Sequence, residues 1–221
     1  MSGRIEMRAT PMRMTMTRLL PLACAMLVAT SGIALAQGSA GADDPPQLTG
    51  LKSEAATRVD ELQKLTQEIV DSLFSFSELG FQEFETQRYL TEMLEANGFT
   101  IEQGVSGIPS SWWATWGEGR PVIALGSDID GIPRASQMPG VVYREPMVDG
   151  APGHGEGHNS GQAVNVTAAL AVKAIMEREN LPGTIVLWPG VAEELVGSKA
   201  WFARDGRFDG VDAVLFSHVG D

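Results

Sequence analysis

From Val59 onward, apolar residues recur at Leu62, Leu65, Ile69, Leu73 and Phe76, at intervals of three and four. That spacing lines one face of a helix. A second helix is expected over about 83–97, with Leu90, Met93 and Leu94 turned inward and Gly98 as its stop. Residues 99–103 and 111–116 read as strands, and the unbroken apolar run Val122-Ile123-Ala124-Leu125-Gly126 has the pattern of a strand buried on both faces. A turn-rich loop carrying Pro133, Pro139, Pro146 and Pro152 follows. An Ala- and Val-rich helix is then expected over 160–179, broken by Leu181-Pro182-Gly183, with a strand at 184–188, a short helix at 198–204 and a last strand at 213–216. Strands alternating with helices predict an α/β domain whose sheet is at least partly parallel.

The N-terminal 36 residues do not belong to that pattern. Arg13 and Arg18 precede an apolar stretch from Leu19 to Ala36 that ends in Ala34-Leu35-Ala36. A positive region, an apolar region and a small-x-small cleavage site make a signal peptide over 1–36. The competing reading is a membrane anchor. Pro21, Thr30, Ser31 and Gly32 interrupt the run, which is short against the roughly 20 apolar residues of a bilayer span. Residues 37–50 are small, polar and Pro-containing, and read as a flexible leader to a domain over 51–221. Such a protein is exported and periplasmic, with no membrane contact after cleavage.

Composition narrows the chemistry. Cys24 is the only cysteine and falls inside the signal segment, so a mature chain has no thiolate catalysis, disulfide or cysteine zinc site. The full chain carries −12; residues 1–36 hold four Arg and one Glu, leaving about −15 on the rest. That balance disfavours nucleic acid as a partner.

All three histidines lie at suggestive places. His154 and His158 flank Glu156 in the run GHGEGHN (153–159), and His218 follows the strand at 213–216. Asp128 and Asp130 follow the strand at 122–126, and Glu193-Glu194 follow the strand at 184–188. Ligand sites of open α/β sheets form beyond the carboxyl ends of strands. Imidazole and carboxylate together suit zinc and neighbouring divalent metals. A metal-dependent hydrolase is the first expectation. Taken alone, Glu193-Glu194 also reads as an acidic helix start, and the Asp pair as a turn. Trp112 and Trp113 are strand neighbours and must face opposite sides, so core packing accounts for them better than a ligand platform. Ser110-Ser111 has no histidine placed to activate it.

The ordered set DIDGIP (128–133), GHGEGHN (153–159), AEE (192–194) and SHVGD (217–221) resembles peptidase family M-20. The resemblance is nearest to its amidohydrolase branch, which cleaves p-aminobenzoyl-glutamate and N-acyl or indole-acetyl amino acids. ELGFQEFET (78–86) is similar to that branch's N-terminal helix signature. The resemblance implies a three-layer zinc-peptidase-like domain with a mostly parallel mixed sheet and two divalent ions, Zn or Mn. It makes His158, Glu194 and His218 metal ligands and Glu193 the general base that activates a metal-held water. Asp130 would orient His158 or a neighbour, and Asp128 is an alternative ligand. His154 is either a group orienting a ligand or an ordinary loop histidine. Glu156 departs from the branch, which usually carries a bridging cysteine there; the expectation is that Glu156 bridges instead, in a harder site more tolerant of manganese.

Members of that family are longer, with an inserted dimerisation domain and a returning C-terminal part that supplies a further histidine. The 221 residues are therefore expected to be a fragment with an exposed sheet edge, weak in metal binding and turnover, with a homodimer expected only for a full-length protein. The substrate implied is a small amide, an N-acyl amino acid or peptide-like molecule. The rival is a non-catalytic metal- or ligand-binding pseudoenzyme on the same fold.

Overall fold

The computed structural model describes residues 44–219; the expected signal segment and residues 37–43 of the leader lie outside the described residues. The first helical stretch is two helices, α1 (Pro46–Glu61) and α2 (Gln63–Phe76), meeting at Leu62. α1 thus begins inside the predicted leader. Pro46 sits in the first turn, where a missing N–H costs nothing and φ is already set. No residue of α1 is buried, so no apolar face marks its register in the sequence. α2 buries Ile69 and Leu73 completely and ends at Ser77, which is left-handed.

α3 (Phe84–Ala96) buries Leu90 and Leu94, and is followed by β1 (Thr100–Gln103), β2 (Trp112–Glu118) and β3 (Val122–Asp128). Next come α4 (His158–Glu179), β4 (Gly183–Gly190), α5 (Lys199–Arg204) and β5 (Ala213–Phe216). The sheet order is β1-β2-β4-β3-β5. β2 runs against both of its neighbours, while β3 is parallel to β4 and β5. Four strands therefore share one direction and β2 alone opposes them, which makes the sheet mixed and mostly parallel.

Two apolar layers cover the sheet. On one face Ile69, Leu73, Leu90, Leu94, Trp112 and Leu187 pack under α2, α3 and α4. On the other, Trp113, Val186, Trp188 and Phe202 pack with α5. Trp112 and Trp113 point to opposite layers, as strand alternation requires. Each fully buried Leu or Ile contributes about 1.5–3 kcal/mol. No described helix is long and apolar enough to cross a membrane. β5 lies at the sheet edge with all four residues exposed.

The register sets up the site. Asp128 pairs with Gly190, and Gly126 with Phe216. Because these three strands are parallel, the residues that follow each of them emerge at one edge of the sheet.

Candidate metal centre

Three loops and the start of α4 meet at that edge. Ligand atoms of Glu156, His158, Glu193 and Glu194 lie within 4.8 Å of one another, and a second group, Asp128, His158 and His218, meets the same limit. His158 belongs to both. All the predicted ligands, and the predicted base, thus fall into two groups joined by one imidazole.

His158 is the first residue of α4 and is almost fully buried. Its Nδ1 lies 2.8 Å from the Asp130 carbonyl oxygen, which only accepts, so Nδ1 carries the proton and donates. His218 Nδ1 likewise faces the Val219 carbonyl at 2.6 Å. Both Nε2 atoms then present lone pairs, 3.0 Å apart. Two lone pairs at that separation need a proton or a cation between them. Two imidazoles on one zinc ion, with bonds near 2.0–2.1 Å, would stand at about 3.3 Å. Burial pushes the His158 pKa down, but the Asp130 carboxylate and carbonyl and the Asp128 charge outweigh it and carry it up to about 9, so without a metal a proton fills the gap between the two Nε2 atoms.

The carboxylates are crowded in the same way. Glu194 faces Glu156, and that pairing, burial and the Glu156 charge push its pKa up to about 7. Oε1 of Glu194 is buried and has no hydrogen-bond partner. An orphaned acceptor, a repelling carboxylate pair and two facing imidazole nitrogens form a donor set that a divalent cation satisfies. These residues fit a metal. Hard carboxylate oxygen and borderline imidazole suit zinc or manganese alike.

Asp130 does not enter either group. Its Oδ1 accepts the Glu193 N–H at 3.0 Å and its Oδ2 the Glu194 N–H at 3.1 Å, while its carbonyl holds His158. One residue therefore orients both acidic side chains and the imidazole. Asp128 is engaged by Lys199, whose Nζ lies 2.8 Å from Oδ1. His154 turns away from the centre: Nε2 donates to the Leu73 carbonyl at 3.0 Å, and burial drives its pKa down to about 4. His154 enters neither ligand group and ties the loop to the end of α2.

Four polar residues around the centre were not read from the sequence. Glu83 is fully buried and accepts the Ala192 N–H at 2.8 Å. Ser198 Oγ accepts the Val191 N–H at 2.8 Å. Gln162 Nε2 donates to the carbonyls of Ser127 and Trp188, tying α4 to the ends of β3 and β4. Lys199 neutralises Asp128. Each looks like an ordinary surface or helix residue in its local sequence; only the motif ELGFQEFET, which contains Glu83, carried any signal.

No protein-family model matches the chain. It is 36% identical over 151 residues to a p-aminobenzoyl-glutamate hydrolase component of Escherichia coli, covering 68% of this chain and 31% of that protein. It is 30% identical over 190 residues to N-acetyl-L-cysteine deacetylase of Bacillus subtilis, covering 79% of this chain and 42% of that one. A dinuclear metal-binding peptidase of the M20 family from Bacillus subtilis shares the fold, with a TM-score of 0.54 and 24% identity over 72% of this chain and 44% of that one. The chain is homologous to these two hydrolases over most of its own length and shares the fold of the M20 peptidase. It spans less than half the length of each of these relatives. The likeness to M20 read from the motifs at strand ends therefore holds, as does the α/β fold class. With M20 relatives in view, Glu156 stands where the sequence resemblance expects a bridging cysteine, and it is carboxylate, not thiolate, that faces Glu194 here.

Proposed function

We propose that the chain is the metal-bearing part of an exported amidohydrolase that cleaves an N-acyl amino acid or a small peptide-like amide. The observation that carries this reading is the convergence of Glu156, His158, Glu193 and Glu194 within 4.8 Å at the carboxyl edge of the sheet. Two divalent ions, Zn or Mn, would be held by Glu156, His158, Glu194 and His218. When bound, such a pair polarises an amide carbonyl and lowers the pKa of water.

The protein's own groups do the rest. Glu193 is fixed through its backbone by Asp130, which leaves its carboxylate to take a proton from the attacking water. As the new C–O bond forms and the C–N bond breaks, the same carboxyl returns that proton to the departing nitrogen. The products are a carboxylate and an amine. Asp130 acts as a positioning residue, because both its carboxylate oxygens are spent on backbone N–H groups. The signal-like segment over 1–36 supports export to the periplasm, and the anionic chain supports a small molecule over nucleic acid as the partner.

Elemental analysis of the purified chain, with Glu156→Ala and Glu193→Gln beside it, tests this. Glu156→Ala is expected to lose metal; a metal content unchanged by it would sink the bridging role. Glu193→Gln is expected to keep its metal and lose at least about a hundredfold in amide turnover. Turnover by the 221-residue chain itself is expected to be low, because so much of the relatives' length is absent from it. The exchange of cysteine for Glu156 favours one rival, a metal-binding pseudoenzyme. Metal retained with no amide turnover even in a full-length protein would establish that rival.

A further inference from the structure

The turn that presents Glu193 and Glu194 is strained. Ala192 has φ 53° and Val196 has φ 57°, in the left-handed region that a β-branched residue rarely enters. Strain of this kind persists only where surrounding groups over-determine the backbone. Here every N–H from residue 191 to residue 197 is occupied. Val191 donates to Ser198 Oγ, Ala192 to Glu83 Oε1, and Glu193 and Glu194 to Asp130. Leu195, Val196 and Gly197 donate to carbonyls within the turn.

Glu83 is the remote member of this set, 109 residues away in sequence. Its other oxygen, Oε2, accepts the Ser110 hydroxyl at 2.7 Å, and both side chains are fully buried. The segment around it touches both acidic loops. A Cβ at Gly80 would fall 2.9 Å from Ala192 Cβ, so the chain there lies directly against the Glu193 turn. Two residues earlier, the Glu78 carbonyl accepts the Gly131 N–H at 2.7 Å, and Leu79 bridges to Gly131, beside Asp130. One short segment therefore indexes the two loops against each other.

We propose that Glu83 is a positioning residue whose buried carboxylate, braced by Ser110, fixes the turn that aims Glu193 and Glu194. An apolar side chain there would leave the Ala192 N–H buried without an acceptor and free the turn to relax. A glutamine keeps an acceptor for Ala192 and offers its amide to the Ser110 oxygen. The consequence for metal rests on the function proposed above; the bracing itself does not.

Backbone amide exchange on the metal-free chain separates the two. Glu83→Ala is expected to speed exchange at residues 192–197 by about tenfold or more while leaving α2 and β4 as in the wild type, with Glu83→Gln close to wild type. Unchanged exchange at 192–197, or an equal increase everywhere, would overturn the brace. If Glu83→Ala does not fold, Ser110→Ala removes one tether and is expected to act in the same direction, and unchanged exchange there would overturn the proposal equally. Titration with Mn2+ alone should show binding about tenfold weaker in Glu83→Ala and within about twofold of wild type in Glu83→Gln. Wild-type affinity in a variant whose turn exchanges faster would break the link from brace to metal. A wild type that binds no Mn2+ would instead count against the metal reading, with the exchange result still deciding the brace.

Discussion

A carboxylate behaves differently at each of the acidic positions around this centre, because each meets different donors. Glu83 is buried, and burial raises its pKa despite the donors from Ser110 and Ala192, with the Asp130 charge adding to the rise. The folded state thus holds this proton more tightly than the unfolded state does. Below the unfolded value near 4.5 both states are protonated and no penalty exists; as pH rises through the folded value, ionising the buried group costs stability. The metal-free wild type is therefore expected to lose melting temperature relative to Glu83→Gln across that window, and then run parallel to it. A wild type that gains on the glutamine variant with rising pH would mean that Ser110 and Ala192 stabilise the anion outright. Glu156 sits in the opposite situation, exposed and facing Glu194. Glu156→Cys puts a soft thiolate where a hard oxygen stands, and is expected to shift competition between Zn2+ and Mn2+ towards zinc. Equal preference in both proteins, in a competitive titration, would show that residue 156 does not choose the metal.

Elements whose signal is local were legible in the sequence. The period of α2, the apolar run of β3 and the Leu181-Pro182-Gly183 break after α4 each lie within a few residues, and the observed bounds of β3, α4 and β4 differ from the expected ones by a residue or two. The grouping of the acids and histidines was legible too, since parallel strands deliver their C-terminal residues to one edge. What could not be read was anything set by distant partners. The short 3₁₀ turn Glu193–Leu195 depends on Asp130 and Glu83, and no local pattern announces a turn whose N–H groups bond 63 to 109 residues away. α1 was missed at its start for the converse reason, having no buried face at all. Close approach of α4 to β3 is another long-range fact with a test. A Cβ at Gly161 would come 2.5 Å from Ser127 Cβ and 3.1 Å from the Ser217 carbonyl. Gly161→Ala must therefore push the first turn of α4, and His158 with it, off the sheet. The expected loss is about 1–3 kcal/mol in urea unfolding. Gly50→Ala, with nothing within 4 Å, is the control and is expected to be neutral or slightly stabilising.

Across the whole molecule two opposing forces govern association. β5 closes one side of the sheet with no further strand among the described residues, and Val214, Leu215 and Phe216 are 44%, 60% and 40% exposed, far from the blunted edge that isolated domains present. Beside it an apolar hollow of about 380 Å³, lined by Ile123, Leu125, Val172, Met176 and Leu215, adds unpaired surface on the same side. Backbone groups of an open edge strand and an adjoining apolar face favour pairing with another chain. The net charge of −12 works against that pairing, since two copies repel at long range. Repulsion between exposed charges is screened by salt, over about 10 Å at 0.1 M and about 3 Å at 1 M, whereas apolar contact is not weakened by it. Sedimentation at increasing NaCl is therefore expected to move the chain from monomer towards larger species. Leu215→Lys, which places a charge on the edge and in the hollow together, should hold it monomeric throughout. A monomer at every salt concentration would show that the edge does not pair, and association that persists in Leu215→Lys would place the contact elsewhere on the surface.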